Sequence, residues 1–130
     1  MVTLTINDET MTGIIQSSLD ISFDIELVTI KDIIEARVNA EVEKYNNTLH
    51  EYFNGLVQPT DAERTLNGYK MRERKLIDAP KQVKIALDAF ERNAFFVLIN
   101  DRQAESLSEE LLINNTVSVS FVKLTPLVGG

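Results

Sequence analysis

The chain has 130 residues, 44% of them apolar and 25% charged, with a formal net charge of −7 and no cysteine. That length buries roughly two-thirds of the surface an unfolded chain exposes, enough for one core without staples, so a single domain over 1–130 is expected. The missing cysteines exclude disulfides, thiolate metal sites and a thiol nucleophile, and the acidic balance argues against nucleic acid as a partner, since phosphate contacts need a basic surface.

No apolar run reaches the length of a membrane span, so no membrane partner is expected. "MVTLTINDE" shows neither the basic nor the apolar region of a signal peptide. A cytoplasmic protein is the expectation, and the N-x-T matches at Asn46 and Asn114 are discounted with it.

Val2, Leu4 and Ile6 alternate with Thr3 and Thr5, the period of a strand with one buried face. After the turn residues of "NDETMTG" the pattern returns in "ISFDIEL", with Ile21, Phe23, Ile25 and Leu27 on one face. The two runs predict a hairpin with a long loop that leaves Met11 to Leu19 poorly defined. At Thr29 the period changes. Thr29 is placed to cap a helix over about 30–48, with Asp32 in its first turn and Ile30, Ile34, Val38, Val42 and Tyr45 at spacings of three and four. The Asn46-Asn47 pair closes it.

From His50 to Ile77 the signal weakens. "PTDAERTLNG" carries a capping-box spacing, Thr60 to Glu63, with Gly68 as a stop, so 49–78 reads as an insertion with one or two helical turns. The basic stretch Lys70, Arg72, Arg74 and Lys75 reads as a solvated face, or else as a contact for an acidic partner. Asp78 then caps a second helix, with Pro80 near its start and Val83, Ala86, Leu87, Phe90 and Ala94 on one stripe. "AFFVLIN" is apolar on both faces, as a central strand is. "NDR" at 100–102 is a turn, "AESLSEELLINN" gives a short edge strand and a loop, and "TVSVSFVKL" is the last strand. Val117, Val119 and Phe121 point inward on it, and Val122 and Leu124 the other way. The expected class is α+β, a mixed sheet with helices on one face.

These residues resemble a known family. "SFDIELVTIKDIIEARV" is similar in pattern to the second strand and helix of ubiquitin. "FFVLINDRQAESLSEELLINNTVSVSFVKLTPLVGG" resembles the ends of the sulfur carriers of the molybdopterin and thiamin pathways. The likeness covers about 21–46 and 79–130 well and 1–20 loosely, and 49–78 has no counterpart in it. It implies a β-grasp, ubiquitin-like fold: a mixed sheet on a main helix, with an inserted helical segment, a second helix and a flexible tail at 125–130.

The resemblance also implies a function centred on Gly129 and Gly130, two of only five glycines. A carboxylate drawn through a narrow channel to the α-phosphate of ATP is best carried by residues without Cβ. Pro126 removes a ladder N–H and lets the tail leave the sheet, with Leu127 and Val128 available for recognition. Extended, Thr125 to Gly130 spans on the order of 20 Å. The implied reaction is adenylation of Gly130 by an activating enzyme, then attack by that partner's cysteine thiolate or persulfide. The chain is the substrate, not an enzyme, with no catalytic residue, no metal and no cofactor of its own; ATP and Mg²⁺ belong to the partner.

A protein modifier joined to target amines is the leading reading, with a conjugating enzyme and a JAB-type peptidase as further partners. A sulfur carrier bearing a Gly130 thiocarboxylate is the alternative, and a non-covalent β-grasp interaction module the third. If the gene extends beyond Gly130, a processing peptidase is required.

Elsewhere the plain readings prevail. His50 is the only histidine and is read as a surface or packing residue. Glu41, Glu43, Glu51, Glu109 and Glu110 read as solvated faces, and Ser17, Ser18, Ser106 and Ser108 have no base beside them. Val122 and Leu124, with Phe96 and Leu98 beside them, form a docking patch on the open side of the sheet unless the 49–78 insertion covers them. Of the lysines at 31, 44, 70, 75, 81, 84 and 123, the sequence selects none as an acceptor.

Overall fold

The computed structural model describes residues 1–49, 51–60, 62–65, 68–71 and 75–124. Strand β1 (Val2–Glu9) turns through Thr10–Ile14 into β2 (Ile15–Phe23). The turn is closed by Thr10 N–H to Ile14 O at 2.9 Å and has Gly13 at φ +88°, a left-handed angle that suits glycine. The hairpin is thus longer and tighter than expected, with a register irregularity at Asp8/Glu9. Alternation places Leu4, Ile6 and Ile21 in the core. It stops at Phe23, because the chain bends over 24–26, and Ile25 and Leu27 are exposed.

The main sheet has the order β2-β1-β10-β7-β8, where β7 is Phe95–Ile99, β8 Arg102–Gln103 and β10 Val119–Lys123. β10 lies in the middle, parallel to β1 on one side and antiparallel to β7 on the other. Asn100 and Asp101, both at positive φ, make the tight β7–β8 turn. The short strand expected within 104–115, β9 (Glu110–Leu112), is not an edge of this sheet. It pairs instead with β3 (Leu27–Thr29) in a separate two-stranded ladder.

Helix α1 (Ile30–Thr48) begins as the sequence implies: Asp32 N–H donates to Thr29 Oγ1 at 3.1 Å and Thr29 N–H to Asp32 Oδ2 at 3.0 Å. Two more of its first N–H groups find carbonyls near β9, Ile30 to Glu109 and Lys31 to Leu107, so the ladder satisfies donors a helix start leaves open. Helix α2 (Ala79–Glu91) has Asp78 at its N-cap position, but the Asp78 side chain makes no capping hydrogen bond. Its buried residues are Gln82, Ala86, Ala89 and Phe90. The core lies between the inner face of the sheet (Leu4, Ile6, Phe95, Val97, Val119, Phe121) and the apolar side of α1 (Ile30, Ile33, Ile34, Val38, Val42, Tyr45), with α2 packed on α1. The chain is mixed α+β.

Among the described residues, the inserted segment is built of strands instead of the expected helical turns. β4 (Tyr52–Phe53), β5 (Ala62–Thr65) and β6 (Gly68–Met71) form a small antiparallel sheet in the order β4-β6-β5. Thr60 and Glu63 carry a capping-box spacing, but no apolar stripe at spacings of three and four follows for a helix to bury. Strand pairing instead buries Phe53, Ala62 and Met71. Gly68 opens β6 at φ +120°, where a Cβ would also collide with Asn54 Oδ1. No helix among the described residues is long and apolar enough to cross a membrane.

Candidate functional site

The site expected from the sequence is the last strand, the sheet face beside it and the tail. Pro126, Leu127, Val128, Gly129 and Gly130 lie outside the described residues, as do His50, Arg72 and Arg74. The described part is the platform from which that segment departs.

On the sheet face turned away from α1, the register sets Val122 opposite Phe96 and Ser120 opposite Leu98. Three of the four predicted docking residues thus share one face. Phe96 and Leu98 are half-buried, whereas Val122, flanked in the sheet by Phe96 and Glu9, is only 8% exposed. The apolar part of this face is therefore narrow. Its other half, on β1 and β2, is a polar ladder: Thr3 with Ser22, Thr5 donating to Asp20 at 2.6 Å, and Ser18 donating to Asn7 at 2.7 Å. Leu124 stands apart from the patch. It borders a cavity of about 470 Å³ together with Leu56, Val57, Pro59, Ile85 and Ala89, and its N–H reaches Ala94 O at 3.3 Å.

The insertion meets the domain on the opposite, helix side, through a polar cluster that includes Glu41, expected from the sequence to lie on a solvated face. Arg37, 4% exposed, forms two hydrogen bonds to the Asp8 carboxylate, the Nη2 to Oδ2 distance being 2.9 Å. Its Nε and Nη2 reach Glu41 Oε2 at 3.3 Å, and its guanidinium lies 4.5 Å from the centroid of the Phe121 ring. Glu41 Oε1 accepts the Leu56 N–H at 3.1 Å. Lys123, at the root of the tail, donates from Nζ to Gly55 O at 2.8 Å. Gln82 of α2 donates to Val57 O at 2.9 Å. Three successive loop residues, Gly55, Leu56 and Val57, are thereby fixed to β10, α1 and α2 in turn.

The charges follow from this burial. Desolvation opposes the Arg37 cation, but Glu41 and Asp8 outweigh it and hold the group above its ordinary range. Burial pushes the Glu41 carboxyl up, although Arg37, the Leu56 N–H and Lys123 pull it down. Lys123 keeps an exposed surface, yet desolvation of its ammonium and then the Arg37 charge lower it, against Glu41 and Asp8. Glu109 is lowered by the Arg102 guanidinium, which hydrogen-bonds to it.

Chemically, the cluster is a fastening. Each carboxylate in it already accepts hydrogen bonds from Arg37, Leu56 or Ser17. Among the described residues, no group of three His, Cys, Asp or Glu is placed to hold a metal ion. No family model, no curated protein and no solved structure matches the chain.

Proposed function

We propose that this chain is a ubiquitin-like protein modifier of the β-grasp type, activated at the Gly130 carboxylate. The observation that carries the reading is the place of β10. It is the central strand, parallel to β1, and it hands the chain at Leu124 to the segment TPLVGG. A hairpin, then a long helix, then strands in the order β2-β1-β10-β7-β8 supports the β-grasp reading, with the small sheet as an addition to it.

In the proposed reaction, a Gly130 carboxylate oxygen attacks the α-phosphorus of ATP on an activating enzyme, and the α–β anhydride breaks to release pyrophosphate. The enzyme's cysteine thiolate attacks the acyl carbon and AMP departs. A target amine then displaces the thiol, forming an amide. Gly129 and Gly130 enter the channel, Pro126 to Val128 are read at its mouth, and Phe96, Leu98 and Val122 offer the docking face. A processing peptidase supplies the free carboxylate if the gene runs further.

The test is intact-mass analysis after incubation with ATP, Mg²⁺ and host lysate containing the activating enzyme, beside a chain lacking Gly130. Adducts of higher mass that disappear in the shortened chain are expected. A gain equal to the difference between sulfur and oxygen would assign a sulfur carrier instead. No change in either chain would leave an interaction module with an inert tail.

A further inference from the structure

The two edges of the main sheet are treated differently. β8 closes one edge with two residues, one of them Arg102. A strand so short and charged gives another chain little to pair with. The other edge is β2, nine residues long and, among the described residues, bonded to β1 on one side only. Ile15–Phe23 holds no Lys, Arg or Pro, and its one charge is Asp20. Leu19 (38% exposed) lies along it, and Ile14 (64%) and Ile15 (57%) lie at its start. Lysine, arginine and proline, which commonly guard an edge against strand addition, are absent along β2, and its one irregularity is the bulge at Gln16 near its start.

We propose that β2 pairs with β2 of a second copy of this chain, antiparallel about a two-fold axis, joining the two five-stranded sheets into one. Self-pairing suits this edge on charge. With a lone acidic residue in nine, the register that sets Asp20 directly opposite itself is the most repulsive one. An axis at Leu19 sets Leu19 against its counterpart and Asp20 against Ser18 of the other copy. A heterologous partner would find almost no charge to read. The seam is about 30 Å long and falls at the small end of specific interfaces, so the dimer is weak and depends on concentration. Because the paired strands run in opposite directions, the two β10 strands deliver their tails at opposite ends of the joined sheet.

Sedimentation velocity over a concentration series, with amide hydrogen exchange on the same samples, tests this in the full chain. The expected result is a mass that rises from 14.7 kDa toward twice that value, with several-fold slower exchange across 15–23 as the dimer forms. Leu19→Lys, which puts like charges face to face in the seam at an exposed position, should stay monomeric with an unchanged far-ultraviolet circular dichroism spectrum. A monomer at every concentration would overturn the proposal. So would a dimer that leaves β2 amides unprotected, or one as strong in the Leu19→Lys chain. The exchange readout on the unaltered protein decides the matter even if that variant misfolds.

Discussion

The Leu56 N–H points at Glu41, 3.1 Å from Oε1, so a largely buried carboxylate on α1 holds the loop that carries the small sheet. Glu41→Ala removes that acceptor and one of the two carboxylates facing Arg37. A loss of about 3 kcal/mol is expected, as for breaking a buried ion pair. Glu41→Gln keeps an acceptor for Leu56 and leaves Arg37 bonded to Asp8, and should lose only about 1 kcal/mol. Urea unfolding of the two variants beside the parent provides the comparison. Equal midpoints for Glu41→Ala and the parent would mean that the cluster does not fasten the loop.

The same carboxylate gives the stability curve a direction with pH. Burial raises the Glu41 pKa in the folded chain, so between the ordinary carboxylate range and the raised value the folded state holds more protons than the unfolded one. Stability contributed by this group is full below the unfolded value and falls as pH rises through the folded one. Glu109, lowered by Arg102, acts in the opposite sense: its contribution is present above the unfolded value and is lost as pH falls through the folded one. Subtracting the Glu41→Gln profile from that of the parent should leave a decline with rising pH. A flat difference would reject the assignment.

Asn46 acts as a piece of strand. Its amide donates to Ile77 O at 3.1 Å and its oxygen accepts the Ile77 N–H at 2.8 Å, so both backbone groups of Ile77 are met by one side chain. Asn46→Ala should destabilise the fold by about 2 kcal/mol, since two hydrogen bonds go and partly buried backbone groups lose their partners. Asn46→Asp keeps the acceptor alone and should fall between the two. Thermal unfolding ranks the three chains, and any other order contradicts the account.

Leu98 is half-buried on the outer face opposite Ser120. Leu98→Lys should alter stability by less than about 0.5 kcal/mol, as surface changes usually do. If the activating enzyme docks on this face, the variant should raise the KM of adenylation at least several-fold and leave kcat almost unchanged. Pyrophosphate release measured against chain concentration separates the two constants. An unchanged KM would move the docking surface elsewhere.

Helix α1 was legible because its signals are local: Thr29 and Asp32 form the cap, and Ile30, Ile34, Val38, Val42 and Tyr45 all reach the core. Pairings across the chain were not. Nothing near Glu110 says that it will meet Thr29, because that outcome depends on a distant strand. At Thr60 the missing apolar stripe spoke locally against a helix, and Ala62–Thr65 pairs with its neighbour in sequence, Gly68–Met71. The cluster was half visible. Arg37 and Glu41 lie four residues apart within the stripe Ile33, Ile34, Val38, Val42, so a charged pair on the buried side could be read from α1 alone. Its partners Asp8 and Leu56 were not readable, since only the fold brings β1 and the inserted loop to that helix.

The parallel pairing of β1 with β10 also decides how the domain answers to force. Val2 begins β1 at one end of the sheet, and Lys123 ends β10 at the other. A pull between the first strand and the tail therefore drags the two central strands past each other lengthwise. The ladder between Ile6–Glu9 and Val119–Val122 must give way all at once instead of unzipping one bond at a time. A machine that hauls on the tail meets the stiffest direction of the molecule first.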